Sequence, residues 1–277
     1  MLKQRIITAL VLLGLLIPAF FHSDPLWIAF AGMVLISAAS WEWGRLNQLG
    51  QFSSTVMGLC CAVMCALVWW FQLLHYFDRI FWLCVGCLWV LVGGVLLHGG
   101  VYRWSSIALP LRWMGGLVVL WCTWVALMVS KNFSIEFLMS VLLLVWMADV
   151  AAYFSGKAFG RHKLAPGISP GKTWEGVGGA MMGVFLLAFI WLRAAHYWEW
   201  SSQSLFEKLV RHGWVVFGLG LVFLVMMSVV GDLLESLVKR SAGVKDSSQL
   251  LPGHGGILDR VDALLPTLPL AVMLALI

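Results

Sequence analysis

Long apolar runs separated by short polar stretches set the pattern of this chain. Spanning about 30 Å of hydrocarbon takes roughly 20 helical residues, with 17 to 25 usual. By that ruler, candidate spans fall near residues 6–22, 25–41, 54–72, 79–97, 113–130, 135–155, 175–193, 213–231 and 263–277. Lipid forces each backbone N–H and C=O to find a partner inside the spanning structure. A β-barrel would need short segments of alternating polarity, and the chain has none. The pattern therefore predicts an all-α fold, a polytopic membrane helix bundle of about nine transmembrane helices. The second and last spans are short, and the last runs to Ile277. No internal repeat or low-complexity linker interrupts the series. We divide the chain into N-terminal transmembrane helices, residues 1–130, and a C-terminal catalytic region, residues 131–277. The second region carries two long polar loops, 156–174 and 232–262. A further long segment, 194–212, has mixed charge and few residues suited to chemistry.

Composition agrees with a membrane solvent. Hydrophobic residues make up 61% of the chain and charged residues 11%, whereas a soluble domain carries roughly a quarter charged residues. The mean hydropathy is +0.92. The net charge of +5 points to orientation in a membrane and to an anionic substrate rather than to nucleic acid, because the basic residues sit in short loops between apolar runs. With the N-terminus in the cytoplasm, 13 of the 18 Lys and Arg residues fall inside and 5 outside (Arg79, Lys131, Arg193, Lys208 and Arg211). That is the direction of the positive-inside rule. Tyr197, Trp198 and Trp200 mark one expected interface. An odd helix count would leave the C-terminus outside.

Lys3 and Arg5 ahead of an apolar stretch resemble the start of a signal peptide. The segment after Pro18 lacks a small-residue cleavage pattern, so we expect a retained first helix. All six cysteines lie in apolar runs, where a thiol behaves as a small apolar group. Cys84 and Cys87 have no second pair to make a metal site.

The loop 232–262 holds the most concentrated chemistry. Extending the eighth span into it puts Asp232, Ser236, Lys239 and Gly243 on one helical face, flanked by Glu235 and Arg240. A carboxylate at the base of a transmembrane helix is costly and usually paired or functional. Pro252, Gly253, Gly255 and Gly256 then break the helix and permit close backbone approach to a ligand. Asp259, Arg260 and Asp262 follow, and a return of the chain would bring Asp259 near Asp232. Carboxylates sharing a small space repel unless a cation lies between them, and oxygen ligands with substrate phosphates suit Mg²⁺. Lys239, Arg240, Lys245 and Arg260 offer the charge that phosphates require, while the glycines and His254 would cradle a pyrophosphate. The set reads as a metal-assisted phosphoryl or nucleotidyl transfer site. The alternative is a solvated loop whose lysines only orient the protein.

The second loop starts at the intramembrane Asp149. Gly171-Lys172-Thr173 suggests a P-loop, but Pro166 stands where that motif needs glycine, and no strand is expected ahead of it. What remains is a basic, glycine-rich loop ending at a helix N-terminus near Thr173, which favours anions. Both loops are expected on one side and would build one site.

Here the residues carry a family resemblance. Ser236-x-Val238-Lys239-Arg240, then Lys245-Asp246, then Leu251-Pro252-Gly253-His254-Gly255-Gly256-Ile257-x-Asp259-Arg260-Val261-Asp262 resembles the signature of phosphatidate cytidylyltransferases, without departure across residues 236–262. The stretch Pro166-x-Ile168-Ser169-Pro170-x-Lys172-Thr173-Trp174-Glu175-Gly176 resembles a second block of that family. The resemblance runs from about residue 140 to the end, and the earlier spans match only as hydrophobic helices. It implies that CTP and phosphatidic acid give CDP-diacylglycerol and pyrophosphate for phospholipid biosynthesis, with Mg²⁺ required and a second cation left open. It also implies a homodimer among membrane lipids, in a bacterial inner membrane, with the site facing the cytoplasm. Asp232 and Asp259 would be the metal ligands. Lys239, Arg240, Asp246, His254, Arg260 and Asp262 would serve catalysis, and Asp149, Lys172, Ser236, Lys245, Gly255 and Gly256 would bind substrate. An ionised lipid phosphate needs no strong base, so His254 is read as a donor to the leaving pyrophosphate, with a structural role in the glycine turn as the alternative. Three rival readings stand beside it: a CTP-dependent polyprenol kinase, a transporter using Asp149, Asp232 and Asp259 as an ion path, and a non-catalytic lipid-binding homologue.

Overall fold

The computed structural model describes residues 2–198 and 203–277. Its helices are α1 (Leu2–Phe21), α2 (Leu26–Leu46), α3 (Gln51–Trp70), α4 (Arg79–Ser106), α5 (Leu109–Phe133) and α6 (Ile135–Phe159), followed by strands β1 (Lys163–Ala165) and β2 (Ser169–Thr173). Then come α7 (Trp174–Tyr197), α8 (Leu205–Arg211), α9 (Trp214–Ser241), α10 (Leu258–Val261) and α11 (Leu264–Ala275). A 3-10 turn at Leu73–Tyr76 precedes α4. Of the interface aromatics, Tyr197 and Trp198 are exposed, and Trp200 lies outside the described residues.

The helices start where side chains satisfy free N–H groups. Asp78 accepts from Phe81 N at 2.9 Å, Ser134 from Phe137 N at 2.9 Å, and Thr173 from Gly176 N at 3.1 Å. Large apolar side chains such as Phe30, Leu59, Leu88, Leu91 and Leu186 remain on the outside, as a bundle solvated by lipid requires. Trp82, Trp124, Phe137, Phe206 and Phe217 fill the interior, and one continuous core runs from Ile28 on α2 to Val272 on α11.

Among the described residues, seven helices are long and apolar enough to cross a membrane: α2 to α7 and α9. The expected count of about nine is not reached by this measure. The last expected span, 263–277, is a helix of 12 residues, roughly 18 Å long at 1.5 Å per residue. It is buried over most of its length against α4, α5, α6, α8 and α9, so its hydrophobicity serves the protein core rather than lipid. One further departure matters for the site: α2 continues past residue 41 to Leu46. The eighth span does continue beyond 231 as α9, reaching Ser241 and so stopping short of Gly243, which has φ +73°. Inside the loop 156–174, β1 and β2 form an antiparallel hairpin pairing Lys163 with Thr173 and Ala165 with Ser169.

α6 and α7 pack most closely at small residues, as helices in lipid commonly do. A Cβ at Gly179 would overlap Ser155, and one at Gly183 would lie 2.7 Å from the Ala151 Cβ. The hairpin, the α9–α10 connection, the α2–α3 turn and the start of α5 meet at one end of the bundle. Arg240 Nε donates to Ile168 O at 3.3 Å, and Trp43 Nε1 donates to Arg112 O at 2.8 Å. At the other end, Lys131 Nζ donates to Phe20 O at 2.6 Å.

Candidate active site

The extended α9 stacks Asp232, Glu235, Ser236 and Lys239 on successive turns. Ser236 Oγ donates to Asp232 Oδ1 at 3.3 Å, and Lys239 pairs with Glu235 one turn earlier. β2 delivers Lys172, whose Nζ lies 2.6 Å from Asp232 Oδ2. Asp149 on α6 faces the same space and lies in the field of Asp232 and Lys172. These three residues line a cavity of about 460 Å³ between α6, α7 and α9. Its polar wall continues through Lys157, Ser169 and Thr173, and its other wall is apolar, with Ala148, Val177, Ala180 and Val229. The close α6–α7 packing sets the distance between Asp149 and the hairpin that carries Lys172.

After α9 the chain turns back over this end. Lys239 Nζ reaches Asp259 Oδ1 at 2.5 Å, while Asp259 Oδ2 accepts from Ser247 N at 3.0 Å, Ser247 Oγ at 2.9 Å and Gly256 N at 2.8 Å. Burial opposes charge on Asp259, but Lys239 and the N–H groups of Gly256 and Ser247 outweigh it and hold the carboxyl at about 2. Asp262 behaves oppositely. Burial, with the neighbouring Asp232 and Asp149 carboxylates, pushes its carboxyl well above the ordinary range. Asp262 also lies in the field of Glu235. Asp149, Asp232, Glu235, Asp259 and Asp262 thus form one connected network with Lys172 and Lys239, five carboxylates against two ammonium groups.

The other expected site residues are placed less centrally. The Arg240 guanidinium ties the two loops together through Ile168 O and Val244 O at 3.1 Å. Arg260 holds His254 O with Nε at 3.1 Å and with a second guanidinium nitrogen. The ring atom His254 Nδ1 is buried with no hydrogen-bond partner. Gly255 adopts φ +84°, a left-handed conformation that favours glycine, and Leu251 pairs with it across the turn. Gly256 packs against Ser247 and Glu42. Lys245 and Asp246 are exposed on the outer side of the loop. Among the described residues, no three His, Cys, Asp or Glu side chains form a ready-made metal cage.

Sequence reasoning missed Glu42. Its carboxylate, fully buried on α2, receives the backbone of Ile257 and Leu258 and the hydroxyls of Ser247 and Ser248. The available signal was a lone acidic residue at the edge of an apolar run, one position beyond the expected span 25–41.

Comparison with known proteins bears on this geometry. The model of the cytidylyltransferase family matches residues 3–277. A phosphatidate cytidylyltransferase of Pseudomonas aeruginosa is 38% identical over 293 aligned residues, covering 97% of this chain and 95% of its own length. That of Haemophilus influenzae is 34% identical, with 97% and 96% covered, and that of Brucella suis is 34% identical, with 95% and 89% covered. The similarity therefore includes the N-terminal helices that bring in Glu42, and with the match across residues 3–277 it shows that the chain belongs to the cytidylyltransferase family.

Proposed function

We propose that this chain transfers the cytidylyl group of CTP to phosphatidic acid, giving CDP-diacylglycerol and pyrophosphate. The observation that carries the reading is the meeting of Lys172 and Asp232 with the signature pair Lys239 and Asp259 in one charged network, beside a cavity with one polar and one apolar wall. Family membership and the names of the relatives support the same substrates. The cavity's position suits a reaction between a water-soluble nucleotide and a lipid, because its polar wall lies at the bundle end and its apolar wall faces along the helices.

The excess of carboxylates fits a hard divalent cation. Mg²⁺ commonly takes one or two protein carboxylates and completes its shell with water and substrate phosphates, so a three-residue cage is not required. Asp232 and Asp259 would hold it, and a bound cation would draw the proton off the buried Asp262 carboxyl, so that the same acidic cluster would accommodate a second cation. Asp259 would ligate by exchanging one of its present donors. When bound, the ion supplies charge neutralisation for the phosphates.

An ionised oxygen of the lipid phosphate (second pKa about 6 for such monoesters) attacks the α-phosphorus of CTP. The new P–O bond forms as the bond to the β-phosphate breaks, and the electron pair leaves with pyrophosphate. The residues here position two anions and spread their charge. Lys172 supplies an ammonium beside Asp232, and Lys239 supplies one beside Asp259. Arg240 and Arg260 keep N–H donors beyond those engaged with backbone, and the exposed Lys245 and Asp246 would meet the substrate from the same loop. His254 would meet the leaving group, which gives its unpartnered Nδ1 a role. Ser236 steadies Asp232, and Gly255 and Gly256 let the loop approach the phosphates.

The grouping of basic residues supports a cytoplasmic site in a bacterial inner membrane, and the resemblance supports a homodimer. The test uses purified protein, phosphatidate in mixed micelles, and CTP labelled in the cytidine or in the γ-phosphate. Cytidine label should enter the lipid only when Mg²⁺ is present, with γ-label released as pyrophosphate. Transfer of γ-label to the lipid would replace the reading with a kinase.

A further inference from the structure

Glu42 is separated along the chain from both polar loops and is fully buried in α2. Burying a carboxylate costs several kcal/mol unless its oxygens find donors. Four are present. Ser247 Oγ at 3.1 Å and Leu258 N at 2.6 Å meet Oε2, and Ser248 Oγ at 2.5 Å and Ile257 N at 2.9 Å meet Oε1. All four belong to the signature segment, three in the α9–α10 connection and one at the first residue of α10, and among the described residues no Lys or Arg pairs with Glu42. A carboxylate that merely joined helices would find its partners on neighbouring helices. This one is spent on a single loop.

The loop it holds carries the chemistry. Ser247 Oγ touches Glu42 Oε2 and Asp259 Oδ2 together, so one hydroxyl links the α2 carboxylate to the signature carboxylate. Leu258 N, held by Glu42, belongs to the residue directly before Asp259. A Cβ on Gly256 would come 2.6 Å from Glu42 Oε1, so only a glycine lets the backbone sit this close. The frame behind Glu42 is rigid. Trp43 is bonded to the start of α5, and Asn47 accepts from Trp104 Nε1 at 3.2 Å.

We infer that Glu42 is a positioning residue for cytidylyl transfer: it seats the 247–258 loop on α2 and so sets Asp259 at the reaction centre. The inference rests on the proposed activity. Glu42→Gln keeps the size but turns an amide donor toward groups that are themselves donors. It should lower kcat on the order of a hundredfold, the scale of about 1 Å of misplacement, with a much smaller change in the KM for CTP. Hydrogen exchange should accelerate at Ile257 and Leu258 and keep wild-type rates in α6 and α7. Ser248→Ala should cost less in the Glu42→Gln background than in the wild type, because the two act through one contact set.

Wild-type kcat in Glu42→Gln would overturn the inference, as would faster exchange throughout the bundle or fully additive losses. If Glu42→Gln does not fold, Ser247→Ala/Ser248→Ala leaves α2 intact and must lower kcat; wild-type turnover there also overturns it. Absence of cytidylyl transfer in the wild type would instead refute the proposed activity, while the exchange at Ile257 and Leu258 still reports on Glu42.

Discussion

Lys172 and Asp232 meet at 2.6 Å across the space between β2 and α9. The contact closes the cavity that both line and joins the two polar loops into one site. An added cation would compete with Lys172 for this carboxylate, and a phosphate would compete with Asp232 for this ammonium.

Asp232→Asn should remove the charge that anchors this arrangement while keeping its shape. Turnover is expected to fall by about two to three orders of magnitude, the scale of losing one key electrostatic contact in an active site. The detergent-solubilised variant should melt as the wild type does. Near-normal CTP-dependent activity would remove Asp232 from the metal site.

Lys172→Gln tests the opposite partner. Losing one charge-assisted contact to phosphate is worth about 1.5–3 kcal/mol, so the KM for CTP should rise on the order of tenfold or more. Lys172→Arg should recover part of it. Initial rates across a CTP series decide the matter, and an unchanged KM would assign Lys172 to structure alone.

Gly179→Val should push α6 from α7, because even a Cβ there overlaps Ser155. Overpacking of this kind typically costs about 1–3 kcal/mol, read as an earlier thermal transition. Activity should fall with it, since Asp149 and Lys172 sit on the two sides of that seam. Ser155→Gly in the same chain should restore part of both; no restoration would mean that the seam is not what Gly179 controls.

The Asp259 carboxyl is lowered from 3.8 to about 2, which gives the signature loop an acid limit. A depressed carboxyl stabilises the fold above its unfolded value and loses that contribution as pH falls through the folded one, here between 3.8 and about 2. The contribution is about 2 kcal/mol. Protection of the Ser247 and Gly256 amides should therefore hold above about pH 4 and decline below it. Asp259→Asn should be weakly protected at every pH, and identical acid profiles for the two proteins would contradict the linkage.

Much of the helical frame was legible in the chain. Spans expected at 54–72, 135–155 and 175–193 correspond to Gln51–Trp70, Ile135–Phe159 and Trp174–Tyr197. Hydropathy is a local property, and a run of about 20 apolar residues has one common outcome in lipid. The same measure misread 263–277, because a helix buried among other helices is as apolar as one facing lipid. The hairpin β1–β2 escaped notice because strands of three and five residues carry almost no periodic signal.

The site divides in the same way. The sequence alone determined a membrane bundle, the two polar loops, and the residues Lys172, Asp232, Lys239 and Asp259 as a set of oxygen and ammonium groups suited to phosphates. It did so because residue types and short spacings carry that chemistry directly. Only the tertiary structure decided which groups meet: Lys172 with Asp232, Lys239 between Glu235 and Asp259, and Glu42 beneath the signature loop. Those pairings depend on how separate helices pack, and a buried carboxylate draws its donors from wherever the fold brings them.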